Sequence, residues 1–211
     1  MSEQVELTNP VELSVGGVGG HLFRRLFHLS MAVLPIGYYI YGEQIGEAVS
    51  LSRDKIVSVL VLTIILVEAI RLKLGLTVFG QREYESRQVS ALAWGALSIG
   101  LCVLIAPKAG NWDAAYGMPL IMCLVFGDPA MGEARRMGAD SKMAFYVGCA
   151  TCFLVWMGAW YFLSTPLWLA LLFAPLCAVA ETPRLRYIDD NATMILIPLA
   201  AAIVLYPFTG L

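Results

Sequence analysis

An uncharged stretch of 38 residues, from 143 to 180, is the feature that most constrains the fold of this chain. It is too long for a single membrane-spanning helix, which needs roughly 20 predominantly apolar residues. Ser164, Thr165 and Pro166 lie near its centre, and residues of these types mark turns. The stretch therefore predicts a hairpin of two apolar helices.

The composition of the whole chain agrees with a membrane protein. Of its 211 residues, 59% are hydrophobic and 14% are charged, whereas soluble domains carry about a quarter charged residues. Five further runs with few or no charges are candidate spans: 26–42, 56–70, 88–107, 114–127 and 191–211. With the hairpin, they predict an all-α polytopic membrane bundle of about seven transmembrane helices. Residues 1–20 are predicted to be a polar N-terminal segment, and residues 21–211 a single transmembrane domain.

Basic residues are distributed unevenly between the two predicted faces of this bundle. If the N-terminus is cytoplasmic, 11 of the 14 Lys and Arg residues lie in cytoplasmic flanks, and 3 (Arg53, Lys55 and Lys108) lie on the other side. An excess of Lys and Arg in short loops marks the cytoplasmic face of a membrane. The N-terminus is therefore predicted to be cytoplasmic and the C-terminus extracytoplasmic.

Nine carboxylates also fall on the predicted cytoplasmic side. Acidic residues contribute little to membrane orientation, so the orientation alone does not explain them. Carboxylates mixed with Arg and Lys suit a magnesium–nucleotide site, because acids hold the metal and bases neutralise phosphate oxygens. The net charge of −2 gives no reason to expect nucleic acid. The nine are Glu68, Glu83, Glu85, Asp128, Glu133, Asp140, Glu181, Asp189 and Asp190.

Two polar clusters precede the third predicted span. In the first, Arg24 and His28 are four residues apart and can face one neighbour on a helix. In the second, Glu68 lies near the end of an apolar span, three residues before Arg71. That spacing permits an ion pair, so the carboxylate is either part of a site or an anchor between helices.

The third cluster, GDPAMGEARRMG at 127–138, follows the fourth predicted span. Asp128 falls where this span meets the cytosol, and the small residues around it permit close approach of a ligand to the backbone. Arg135 and Arg136 follow within two helical turns, which can place phosphate-binding guanidinium groups beside a metal ligand. This pattern favours a site over a polar surface loop.

The fourth cluster, ETPRLRYIDDN at 181–191, runs directly into the last predicted span. Asp189, Asp190 or Asn191 can cap that helix, but capping requires only one of them. The other two are left as candidates for a functional role.

In this order, the clusters resemble the polyprenol and lipid kinase family, which includes dolichol kinase, phytol kinase and the CTP-dependent diacylglycerol kinases. The resemblance covers most of the chain after residue 20. It is carried by RRLFH at the first span, REYE before the third, GDPA at the end of the fourth and IDDNATMILIPL at the start of the last. It implies that residues 21–211 form a catalytic domain that uses Mg²⁺ to transfer the γ-phosphate of a nucleotide, usually CTP, to a membrane-embedded alcohol.

The resemblance implies roles for Arg25, His28, Asp128, Arg136, Lys142 and the residues 189–191, and the clusters themselves add Arg82, Glu85 and Arg135. The predicted catalytic residues are Asp128, Asp189 and Asp190, and the predicted magnesium ligands are Asp128, Asp190 and Glu85. The predicted nucleotide-binding residues are Arg25, His28, Arg82, Arg135, Arg136, Lys142 and Asn191. An isoprenoid alcohol is favoured over diacylglycerol as the acceptor. The site is expected to face the cytoplasm, in the plasma membrane of a prokaryote or in the endoplasmic reticulum.

Two other functions agree with the same residues. A CTP-dependent lipid cytidylyltransferase also joins a nucleotide to a lipid at the cytosolic face, but it releases pyrophosphate instead of CDP. A small proton-coupled transporter would use Glu68 and His28, and inverted internal repeats would favour it. Such repeats are not evident in the sequence.

Overall fold

A computed structural model describes residues 15–183, 185 and 187–209 of the chain. The structure is 77% helical, with no strand in the described residues, so the predicted all-α class is confirmed. The α-helices are α1 (Gly17–Ser30), α2 (Val33–Tyr39), α3 (Gly42–Val49), α4 (Arg53–Leu74), α5 (Ala91–Ile105), α6 (Gly117–Arg136), α7 (Ser141–Leu163), α8 (Trp168–Val179) and α9 (Asp190–Leu205). Short 3₁₀ segments cover Glu83–Arg87, Asn111–Asp113 and Tyr206–Phe208.

The first predicted span is interrupted between α1 and α2. Pro35 has no N–H to donate to the carbonyl of Met31, and the helix breaks at Met31 and Ala32. Its beginning is also earlier than predicted, because α1 starts at Gly17 and so includes the end of the predicted polar segment 1–20. Residues 1–14 of that segment lie outside the described residues, as do Arg184, Arg186 and the last two residues of the chain.

The predicted hairpin is confirmed by α7 and α8. Ser164 ends α7 in a left-handed conformation, with φ of 60°. The hydroxyl of Thr165 then donates a hydrogen bond of 2.9 Å to the carbonyl of Ala115, which ties the turn to the residues before α6. Inside the hairpin, the rings of Trp156 and Phe173 stack with centroids 4.9 Å apart. The pair belongs to the buried core.

Helix α6 is longer than its predicted span, 114–127. It continues through Pro129 to Arg136, so the GDPA motif is helical and does not lie at the end of the helix. Asp128, Gly132 and Arg135 are spaced by four and three residues and therefore share one face of α6. This continuation carries a carboxylate and a guanidinium toward the same neighbours.

Polar side-chain contacts separate into two ends of the bundle. At one end, which we call the site end, Arg24 pairs with Glu85, and Arg135 pairs with Glu181. At the other end, the corresponding pairs are Arg53 with Asp113 and Lys108 with Asp54. Each of these pairs joins two segments on the same predicted face of the membrane, as expected for helices that alternate in direction.

Two helices of the described chain are long and apolar enough to cross a membrane by length and composition. They are Ser141–Leu163 and the combined segment Asp190–Phe208. The apolar helices α5 and α8 are shorter, and α4 and α6 carry charged residues within their length. An arrangement of seven spans therefore stays a prediction at this point.

Candidate active site at the site end of the bundle

Three carboxylates from distant parts of the sequence converge at the site end. They belong to Asp128 on α6, Glu181 just after α8 and Asp190 in the first turn of α9, and their oxygens lie within 4.8 Å of one another. Carboxylates this close repel one another unless a proton or a cation lies between them. A set of oxygen donors alone is what Mg²⁺ prefers in proteins. This carboxylate cluster therefore fits a magnesium ion.

Basic side chains from α1 and α6 surround the carboxylate cluster. Arg135 donates two hydrogen bonds to Glu181, of 2.5 and 2.7 Å, in a bidentate pair. A guanidinium nitrogen of Arg25 lies 3.9 Å from a carboxylate oxygen of Asp128. The site thus combines metal-binding carboxylates with the guanidinium groups that bind phosphate.

His28 lies beside Asp128 on the α1 side of the cluster. Its Nε2 atom is 3.7 Å from Asp128 Oδ2 and 3.0 Å from the carbonyl oxygen of Leu124. A carbonyl oxygen only accepts, so the hydrogen bond requires the proton on Nε2. This contact fixes the orientation of a buried imidazole next to the carboxylate cluster.

Asp189, Asp190 and Asn191 have three different environments. The side chain of Asp189 caps α9 by accepting a hydrogen bond of 3.1 Å from the backbone N–H of Asn191. The buried side-chain amide of Asn191 donates to the carbonyl of Ala91, at 3.3 Å, and so joins α9 to α5. Asp190 alone contributes to the carboxylate cluster.

Burial changes the proton affinity of two acids that lie between helices at the site end. Burial and the neighbouring Asp190 raise the pKa of Asp189 to about 8. Burial also raises the pKa of Glu181, although Arg135 opposes the change. Both effects favour the protonated acid, as expected where negative charge is concentrated away from water.

Arg82 supplies a further cation near α9. Its guanidinium donates a hydrogen bond of 2.6 Å to the hydroxyl of Tyr84, and it interacts electrostatically with Asp189 and Asp190. Its Nε atom is buried and has no hydrogen-bond partner in the described residues. Of the predicted nucleotide-binding residues, the structure thus brings Arg25, His28, Arg82, Arg135 and Asn191 to the site end.

Glu85 differs from its predicted role as a magnesium ligand. It is 1% exposed, and it is not one of the three clustered carboxylates. Its oxygens accept hydrogen bonds from the guanidinium of Arg24 and from the backbone N–H groups of Arg82 and Ala91, all between 3.1 and 3.2 Å. These bonds join α1, the 3₁₀ segment 83–87 and α5, which indicates a structural carboxylate.

Arg136 and Lys142 are not brought to the carboxylate cluster. Arg136 forms an exposed ion pair with Glu133, three residues earlier. Lys142 is exposed in the first turn of α7, and no contact in the described chain joins it to the cluster. Their role in nucleotide binding stays a prediction.

The buried pair of Glu68 and Arg71 anchors neighbouring segments. Arg71 donates two hydrogen bonds to Glu68, of 2.9 and 2.8 Å, and others to the carbonyls of Leu76, Glu85 and Gln88. Glu68 also accepts from the N–H of Ser90 at 2.6 Å. The pair therefore holds the segment that carries Arg82 against α4, which favours the anchoring interpretation over a proton-coupling one.

Two residues of the site were missed by sequence reasoning. The third carboxylate of the cluster is Glu181 and not Glu85. In the sequence, Glu181 stands out only as a charged residue directly after a predicted apolar helix. Gly132 leaves space for Arg25, because a Cβ atom there would overlap a guanidinium nitrogen of Arg25 in its present position. The sequence shows only a glycine between Asp128 and Arg135, and this does not identify Arg25 as the side chain that lies against it.

Comparison with known proteins adds no relative to this description. No family model, curated protein or solved structure matches the chain. Interpretation of its function therefore depends on the site geometry and on the motifs read from the sequence.

Proposed function

We propose that the chain is a membrane-embedded bundle of seven alternating spans, with the site end at the cytoplasmic face. Helix α4 supports the proposal, because the two residues it buries are the charged Glu68 and Arg71. Its apolar side chains face outward, and Leu62, for example, is 65% exposed. A helix that is polar inside and apolar outside is stable against lipid, whereas water would favour the reverse.

The apolar helices of the hairpin and the C-terminus support the same proposal. In a strongly apolar 18-residue part of α7, only 28% is buried within the bundle. The corresponding value for the segment Asp190–Phe208 is 44%. Leu154 and Leu171 are each 70% exposed, and they are two of many large apolar side chains on the outer surface. Soluble monomers rarely expose such extensive apolar surface, and a bilayer would cover it.

We further propose that the protein is a lipid kinase that transfers the γ-phosphate of a nucleotide to a membrane-embedded alcohol. The observation that carries this proposal is the carboxylate cluster of Asp128, Glu181 and Asp190, with Arg25 and Arg135 in contact with it. Phosphoryl transfer depends mainly on positioning and on stabilising charge around the transferred group. Acids and guanidinium groups at one end of an apolar bundle supply both next to a lipid.

The residues of the site have separable tasks in this reaction. Asp128, Glu181 and Asp190 would hold Mg²⁺, which when bound draws the donor phosphates toward the carboxylates and offsets their charge. Arg25, Arg82 and Arg135 bind phosphate oxygens. The side chain of Asp189 caps α9 and is not one of the three clustered acids, so Asp189 is less suited to binding the metal.

The preference for CTP and for an isoprenoid alcohol is proposed on the sequence motifs. GDPA and IDDN are the motifs that resemble those of CTP-using kinases of polyprenols, dolichol and phytol. One observation from the structure supports this proposal: the two motifs contribute Asp128 and Asp190 to the same cluster.

The decisive experiment is a transfer assay with purified protein in lipid nanodiscs. CTP and ATP, each labelled at the γ-phosphate, are tested against geranylgeraniol, phytol, a polyprenol and diacylglycerol. Replacing Asp128 by Asn should reduce transfer by roughly 100-fold or more, because it removes charge at the reacting phosphate. Asp140→Asn is the matched control, because Asp140 caps α7 outside the cluster and Asn caps equally well.

Product analysis distinguishes the kinase from a lipid cytidylyltransferase. A kinase releases CDP and leaves the label on the lipid, whereas a cytidylyltransferase releases labelled pyrophosphate. Wild-type transfer by Asp128→Asn, or no transfer to any lipid by the wild-type protein, would contradict the proposed kinase.

A further inference from the structure

A small open groove, with a cavity volume of about 50 Å³, lies between α1, residues 79–81, the start of α5 and Asn191. Its apolar walls come from Phe23 and Phe27 on α1, Phe79 before the 3₁₀ segment, and Leu92 at the start of α5. Each of these four side chains is between 39% and 50% exposed. The walls are therefore accessible at the apolar outer surface of the bundle.

The inner end of the same groove is polar. His28, Asn191 and the ion pair of Arg24 and Glu85 line it, and all of these except Arg24 are buried. The Nε2 atom of His28 also lies 3.7 Å from Asp128. The side chain of His28 therefore lies between the groove and the carboxylate cluster. The groove thus runs from an apolar opening to polar groups that adjoin the proposed site of phosphoryl transfer.

We propose that this groove binds the lipid alcohol, with its hydrocarbon tail along Phe23, Phe27 and Leu92 and its hydroxyl at His28 and Asn191. The identity of the ligand as an alcohol rests on the proposed function. An apolar tail fits the apolar walls because its burial there is favourable. A hydroxyl can donate to the side-chain oxygen of Asn191, whose amide nitrogen already donates to Ala91. A molecule that is polar along its length, such as a nucleotide, matches only the inner end.

This arrangement lets the two substrates reach the cluster from different directions. The alcohol enters sideways from the membrane between α1 and α5. The nucleotide reaches the cluster from the site end, where Arg135 is partly exposed. The hydroxyl and the donor phosphate then meet at Asp128, so the lipid does not have to leave the bilayer.

The experiment measures binding without phosphoryl transfer. Wild-type protein in nanodiscs is photolabelled with geranylgeraniol that carries a diazirine on its tail, and the labelled peptides are identified by mass spectrometry. Label should concentrate in α1, residues 79–81 and the start of α5, and excess unlabelled geranylgeraniol should displace it. Equal labelling of the exposed faces of α4 and α7 would show contact with bulk lipid and would overturn the proposal.

Substitutions at the rim of the groove provide the second test. Leu92→Trp fills the groove and should reduce specific labelling, and raise the KM for the alcohol, by roughly tenfold while leaving the KM for the nucleotide within about twofold. Leu92→Ala should weaken binding by about threefold through lost apolar contact. Leu62→Trp, on the outer face of α4, is the control and should change neither quantity.

The outcomes separate this inference from the proposed function. Displaceable labelling of the groove in a protein that transfers no phosphate from CTP or ATP would uphold the groove and reject the kinase. Transfer to geranylgeraniol with a KM that Leu92→Trp leaves unchanged would uphold the kinase and reject the groove.

Discussion

At the site end, the role of each side chain depends on the space around it and on the charge of its neighbours. Asp128 lies close to side chains of several segments, namely Arg25, His28 and the acids Glu181 and Asp190. Arg25 approaches it across residue 132, where an added Cβ atom would meet the Arg25 guanidinium. The position of this guanidinium therefore depends partly on a glycine.

Replacing Gly132 by Ala should lower activity while the protein still folds. The added Cβ would displace the end of the flexible Arg25 side chain and not the backbone, so the helix can absorb it. Losing one charge-assisted contact to phosphate should reduce kcat/KM by roughly tenfold. Gly158→Ala on α7, where no atom lies within 4 Å of the added Cβ, is the control and should leave kcat/KM unchanged.

The affinity for Mg²⁺ should increase with pH between about 7 and 9. The pKa of Asp189 is raised to about 8, so the carboxyl gives up its proton over this interval and adds negative charge beside Asp190. A titration of Mg²⁺ binding by calorimetry should show this increase. Asp189→Asn should flatten the pH profile, and an unchanged profile would remove Asp189 from the electrostatics of the site.

Between helices, the site end is held together by buried polar contacts. Arg71 bonds to Glu68 on its own helix and to three carbonyls of the segment after α4. Glu85 continues this network to α1 and α5. The loop that carries Arg82 is therefore fixed by three buried charged residues, Glu68, Arg71 and Glu85.

Arg71→Met should destabilise the protein strongly. It leaves the buried Glu68 carboxylate without its cation, and breaking a buried pair in this way costs about 3–5 kcal/mol. Thermal unfolding in detergent should show a clear decrease in Tm. Arg136→Gln, which breaks the exposed pair with Glu133, is the control and should leave the Tm unchanged.

For the molecule as a whole, the distribution of charge and apolar surface defines two ends and a belt between them. The site end holds the carboxylate cluster, and the opposite end holds pairs such as Arg53 with Asp113. Between them, apolar side chains such as Leu154 face outward. A bilayer around the belt would place the two ends in different compartments.

Cysteine accessibility in intact cells tests this orientation. Met137→Cys lies between α6 and α7 at the site end, and Glu47→Cys lies on α3 at the other end. A membrane-impermeant maleimide should label Glu47→Cys from outside and should label Met137→Cys only after permeabilisation. The native cysteines in the wild-type protein provide the background, and labelling of Met137→Cys in intact cells would contradict the proposed topology.

The sequence by itself determined the helical class, the hairpin and the clusters that form the site. These follow from apolar runs of defined length and from charges at their ends, which are local properties of the chain. The continuation of α6 past Asp128 was not predictable in this way, because Pro129 and the polar residues after it read locally as the end of a helix.

Only the tertiary structure decided which charged residues meet. Glu181 joins Asp128 and Asp190 while Glu85 serves as a structural acceptor, although all four are acids beside predicted spans. The difference arises from how α6, α8 and α9 pack, and packing depends on side-chain fit between segments far apart in sequence. The contact between Gly132 and Arg25 depends on packing in the same way, because it joins α6 to α1.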